Sequence, residues 1–281
     1  MNLGCGLYGA AYEIEKDMWG SFKRYRDAGF TAVEPFYGRK NMVLDSSIPS
    51  HLRSIIWREQ EVAEYQPRLR ELGLEISSMH ISVDIEKELE ESLHEMMDFA
   101  DKTGISNFMI SFMFQNYEKM KKSVELLNRM QEIVNESNIQ ICYHNHAEEF
   151  AMADEKKCWM DYFMEELNPN TKLEVDTGWV MYGGGDPLAF MEKYKDRIAA
   201  VHLKDFVKGF QQIKKEDAFS AIGYGMLPVE KILDISSKLN LIEHGIMIDQ
   251  DSATKGAVLA DDLKMGAELV LGILREKNSV L

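Results

Sequence analysis

A short apolar, β-branched run followed by a stretch of helical periodicity recurs eight times along the chain, and that recurrence restricts the fold more than any single residue does. Strands are expected at residues 3–10, 30–35, 74–81, 106–112, 139–146, 171–177, 198–204 and 245–249. Helices are expected at 17–28, 60–72, 84–102, 116–136, 157–167, 187–194, 228–239 and 255–277. The first three helices stop at Gly29, Gly73 and Gly104, since glycine takes the left-handed turn that ends a helix. Asp186-Pro187 supplies an N-cap acid and a proline preset for the first helical position. Stretches 39–58 and 206–224 read as long loops, and no low-complexity linker divides the chain. Parallel strands joined by helical crossovers are buried on both faces, and eight of them close most economically into a single (β/α)8 barrel over residues 1–281. An open, doubly wound sheet competes, but no G-x-G-x-x-G follows the first strand.

Composition narrows the partners. With 281 residues, 45% of them hydrophobic, one large core can be buried. A net charge of -15 without a basic block argues against a nucleic-acid backbone and against an anionic membrane surface. The opening Met1-Asn2-Leu3-Gly4-Cys5 has neither the charged nor the apolar region of a secretory leader. Cys5, Cys142 and Cys158 form no C-x-x-C pair and suggest no disulfide framework, so a cytoplasmic setting is expected.

Barrel enzymes carry their chemistry at the C-terminal ends of the strands, and four consecutive expected strands end here in metal-ligand residue types. They are Tyr143-His144-Asn145-His146, Glu174-Val175-Asp176-Thr177, Val201-His202-Leu203-Lys204 and Ile248-Asp249-Gln250-Asp251. Residues two apart on a strand share a face, so His144 pairs with His146, Glu174 with Asp176, His202 with Lys204 and Asp249 with Asp251. Convergence of His144, Asp176, His202 and Asp249 would give two imidazoles and two carboxylates, a donor set suited to one divalent ion such as Mn, Mg, Co or Zn. His146, Lys204 and Glu149 are then left for proton transfer. Glu34 and His80, at the ends of the second and third strands, and the aromatic Trp179 are candidates to contact substrate. Tyr8, Phe36, Phe112 and Phe114 also fit a sugar-lining rim, although each aromatic could equally be rim packing. Taken singly, Asp176 could be a turn former and Asp249 a helix cap. Their joint placement favours a site.

The runs around His144, Glu174, Gly184-Gly185-Asp186-Pro187, His202 and Asp249 closely resemble the sugar phosphate isomerase/epimerase family, xylose isomerase-like TIM barrels related to inosose dehydratases and ketose 3-epimerases. The resemblance implies one divalent metal, held by His144, Asp176, His202 and Asp249, and proton abstraction beside a carbonyl of a sugar or polyol by way of an enediolate. It also allows a homo-oligomer. Two positions depart from the ketose epimerases, which usually have glutamate where this chain has His144 and Asp249. Those glutamates are the paired acid and base of epimerisation, so the proton here would move through another group, such as His146 or Lys204. An isomerase or epimerase is the leading expectation; a lyase on a keto-sugar or inosose, or a non-catalytic sugar-binding barrel, uses the same scaffold.

Overall fold

The computed structural model describes residues 2–81 and 88–278. Its centre is a ring of parallel strands. These are β1 (Gly4–Gly6), β2 (Ala32–Glu34, continued by Phe36–Tyr37), β3 (Glu75–Ile76, continued by Met79–Ile81) and β4 (Asn107–Ile110). The ring continues with β5 (Gln140–His144), β6 (Lys172–Asp176), β7 (Ile198–Leu203) and β8 (Ile246–Ile248). Neighbours pair in chain order from β2 through β8, and β1 lies between β8 and β2. The ring closes at β2–β3, where Ala32 faces Glu75 and, one segment on, Phe36 faces His80. Breaks at Pro35 and at Ser77-Ser78 let both strands bend there.

Among the described residues, the outer layer is formed by α1 (Ala11–Ala28), α2 (Glu59–Leu72), α3 (Leu89–Thr103), α4 (Tyr117–Val134), α5 (Trp159–Glu166), α6 (Pro187–Tyr194), α7 (Val229–Ser236) and α8 (Leu259–Asn278). The eight expected units are present, with differences at their edges. Helix α1 begins six residues before the expected Asp17, and Asp17 itself is non-helical, at φ -155 and ψ 80. Its carboxylate accepts from the Gly20 N–H at 3.0 Å, so the start signal is real but caps only the second half of a kinked helix. Gly29 ends α1 at φ 102, a conformation costly for any residue with a Cβ. The expected start of α3 at residue 84 lies outside the described residues.

Several features were not legible as elements. The stretch 39–58, expected as a loop, holds a short helix, Ser50–Arg53, and a strand segment, Ile56–Trp57, that pairs with Phe36–Tyr37. A short helix, Thr177–Tyr182, follows β6 directly, with Asp176 as its N-cap. The stretch expected as one irregular loop after β7 contains an antiparallel pair, Asp205–Phe206 against Phe219–Ser220. Trp179, Phe206, Phe210, Ala218 and Phe219 pack into an apolar cluster that ties this loop to the short helix. Among the described residues, no helix is long and apolar enough to cross a membrane.

Candidate active site

Alternation along the strands decides which side chains enter the barrel. Odd-numbered positions such as Tyr143, Val175, Val201 and Leu203 join the core between sheet and helices. Even-numbered His144, Glu174, Asp176 and His202 point the other way, into the barrel. Strand register sets His144 opposite Glu174, and His202 opposite Asp176. At β1 the inward position is Gly6, where a Cβ would meet Asp249 Oδ1 at 2.3 Å. The missing side chain makes room for that carboxylate.

Glu174 lies at the centre of the buried polar cluster. Its Oε2 accepts from His144 Nδ1 at 2.9 Å and sits 3.2 Å from His80 Nε2. Its Oε1 is 3.0 Å from His202 Nε2. Glu34 Oε1 approaches His80 Nε2 at 2.9 Å and His202 Nε2 at 3.0 Å, while its Oε2 accepts from the Ser78 hydroxyl. On the other side of His202, Nδ1 lies 3.4 Å from Asp249 Oδ2, and His144 Nε2 lies 4.0 Å from Asp176 Oδ2. The four expected ligands thus fall into two groups linked by His202, with His144 on one side and Asp176 and Asp249 on the other, and Glu34, His80 and Glu174 lie among them. Glu174 was visible in the sequence as the face-mate of Asp176, but its central place depends on the closed ring.

Lys204 adds a second layer. Its ammonium touches three carboxylates: Asp176 Oδ2 and Asp249 Oδ2 at 3.0 Å, and Asp251 Oδ1 at 2.7 Å. It also lies 4.6 Å from the centroid of the Trp179 ring. The His146 ring stacks beside Trp179 at 6.1 Å. Lys204, Asp249, Asp251, His146 and Trp179, together with Tyr8, Phe36, Ser111, Met113 and Lys215, line a cavity of about 300 Å³ at the C-terminal mouth of the barrel. Of the expected rim aromatics, Phe112 and Phe114 instead pack against Tyr143. Glu149 is fully buried and holds the turn after β5. Its carboxylate accepts from the Tyr143 hydroxyl at 2.6 Å and from the His146 N–H at 3.2 Å.

Charge is arranged in pairs. Burial works against a protonated His80, but Glu34 and Glu174 outweigh it and push the imidazole up to about 10. His202 is raised well above its ordinary value for the same reason. Burial likewise opposes ionised Glu174 and Asp249, yet His202 around the first and Lys204 beside the second hold both well below the usual range. His146 behaves differently: burial, with His144 and Lys204 nearby, lowers it to about 2 and keeps the ring uncharged.

The cluster fits a cation. Glu34 Oε1, Glu174 Oε1, Asp176 Oδ2 and both ring nitrogens of His202 are buried without a properly aligned hydrogen bond, despite having partners at 2.9–4.0 Å. Buried polar atoms are rarely left so, and donors and acceptors crowded around a point without aligning is what a metal would resolve. Two overlapping donor sets are within reach of one ion. One is His80, His144, Glu174 and His202; the other is Asp176, His202 and Asp249.

Comparison with known proteins agrees with this architecture. The family model described as a xylose isomerase-like TIM barrel matches residues 22–264. An inosose dehydratase from Clostridium tetani is 28% identical over 131 residues, covering 44% of this chain and 43% of that protein, so the match spans less than half the relative's length. Among solved structures, a sugar phosphate isomerase/epimerase from Parabacteroides distasonis superposes with a TM-score of 0.74 at 21% identity, over 95% of this chain and 92% of the other. The IOLI protein with a binding zinc atom gives a TM-score of 0.65 at 12% identity, over 98% and 99%. At such identities the structures speak to the fold alone. The family match covers most of the chain, and the protein belongs to the xylose isomerase-like TIM barrel family.

Proposed function

We propose that this barrel is a divalent-metal-dependent enzyme that removes the proton beside a carbonyl of a sugar or polyol, and that the overall reaction is elimination of water from a keto-polyol. The observation that carries the proposal is the pair of donor groups that share His202, one with His144 and Glu174 and the other with Asp176 and Asp249, of which His144 and Asp249 reach the cavity wall. Those residues would hold the ion. A divalent ion there supplies polarisation of the substrate carbonyl, which acidifies the neighbouring C–H.

The chain's own groups supply the rest. The His146 ring lines the cavity, its Nδ1 has no hydrogen-bond partner among the described residues, and it takes the proton from carbon. Lys204, which three carboxylates keep as an ammonium, donates a proton to the departing hydroxyl, which leaves as water. Asp251 and Asp249 orient that ammonium, and both proton-transfer groups lie beside the Trp179 indole. In the ketose epimerases that the chain resembles, two glutamates serve as the acid and base pair; here their places are taken by His144 and by Asp249, which is tied to Lys204 and His202. That loss of a free carboxylate pair, together with the inosose dehydratase relatives, favours elimination. Isomerisation is the second reading, since it shares the first proton transfer.

Product analysis by NMR in deuterium oxide separates the two. Incubation with an inosose is expected to give the dehydrated product with loss of one water. Deuterium incorporation without water loss would favour isomerisation, and the absence of both exchange and water loss across a panel of keto-sugars would contradict proton abstraction itself.

A further inference from the structure

We infer that Lys215 is a specificity residue that binds an anionic group, a carboxylate or a phosphate, on the substrate at the end away from its reacting carbonyl. The inference deepens the proposed function and rests on it. Lys215 opens a short turn, Lys215–Asp217, in the loop after β7, and its side chain lines the mouth of the cavity. Its ammonium lies 4.1 Å from the centroid of the Trp179 ring. The loop beneath it is held firmly, by the aromatic cluster around Trp179 and by Asp205, which gathers the backbone N–H groups of Gly223, Gly225, Met226 and Leu227.

The other charges on this turn are already used. Glu216 lies 3.9 Å from Lys214, and Asp217 is bonded to Lys255 at 2.8 Å. Among the described residues, Lys215 has no carboxylate partner. Lys204, deeper in the same cavity, is saturated by three. Of the two lysines in the cavity, the one on the floor is compensated and the one at the mouth is not. The other charged groups of the floor are committed to one another, Glu34 to His80 and Asp249 to His202 and Lys204, and to the proposed ion. Lys215 is therefore the cation left for a charge carried by the substrate itself, with the neutral carbonyl end toward the floor. A charge-assisted contact of this kind is worth roughly tenfold or more in affinity.

The test measures dissociation constants by calorimetry on the full, metal-supplemented chain, with fructose, ketogluconate and a fructose phosphate as probes. The two anionic probes separate the carboxylate from the phosphate source. Wild type is expected to bind at least one of them roughly tenfold or more tighter than fructose, with the preference shrinking as salt is added. Lys215→Met is expected to erase the preference, and Lys215→Arg to keep it. A wild type without the preference, or a Lys215→Met variant that retains it, overturns the inference. Metal content and solvent exchange are read separately, so failure of the proposed chemistry would show as loss of those signals, and not as a change in anion preference.

Discussion

Glu174 and Asp205 are both fully buried carboxylates near the C-terminal mouth of the barrel, and their surroundings differ in kind. Asp205 accepts backbone N–H bonds from Phe206, Gly223, Gly225, Met226 and Leu227, at 2.8 to 3.0 Å. No cation is required there, and a Cβ on Gly225 would come within 2.4 Å of the carboxylate. Glu174 is ringed by His80, His144 and His202, and only one of those contacts aligns as a hydrogen bond. A finished network rigidifies a loop; an unfinished one, at equal depth, has affinity left for a ligand. Burial and charge alone do not separate structural acids from functional ones here, whereas hydrogen-bond completion does.

The largest expected effect lies on the unfinished side. His202→Ala removes a donor common to both cation sets, and kcat/KM should fall by about a thousandfold or more, as fits the loss of several kcal/mol of metal-derived stabilisation. Steady-state kinetics on the dehydration reaction would check this; near-normal turnover would remove His202 from the site. On the finished side, Asp205→Ala leaves five N–H groups without their acceptor and should cost about 3 kcal/mol of stability while metal content persists. Denaturant unfolding together with metal analysis reads both halves of that statement.

Glu149 offers a pH test of a third kind of buried acid, hydrogen-bonded but facing no cation. Burial raises its carboxyl from 4.5 to about 7. The folded state therefore prefers the protonated acid, so the stability this group contributes is full below pH 4.5 and is lost as pH rises through 7. The loss amounts to up to about 3 kcal/mol. Glu149→Gln should flatten that part of the stability profile, measured by urea unfolding at pH 5 and pH 8; an unchanged slope would place the titrating group elsewhere. The smallest effect is expected at Gly6. Gly6→Ala would press on Asp249 and should cost about 1 kcal/mol, with a modest weakening of metal affinity in competition with a chelator.

Much of this was written in the sequence, because barrel strands advertise themselves. The runs at 139–146, 171–177 and 198–204 are apolar on the outward face and polar at the end, and Gly29, Gly73 and Gly104 mark where helices stop. That His144, Asp176, His202 and Asp249 face the barrel interior followed from alternation and from closure of the ring; that they divide into two groups around His202 did not. What stayed hidden depends on contacts across space. Local pattern does not tell that β2 and β3 break into segments, or that Asp205 reaches residues 18 to 22 positions ahead. Nor does it show that Glu174, rather than Asp176, sits among three imidazoles. Lys215 gave no signal at all, being one lysine in a mixed-charge loop until packing set it against Trp179.

The most direct test is metal content by plasma mass spectrometry, after supplementation and desalting, of wild type beside Asp176→Asn, Glu174→Gln and Asp205→Asn. The account predicts about one divalent ion per chain in wild type and in Asp205→Asn, and little or none in the other two. No metal in wild type, or equal metal in all four proteins, would contradict it.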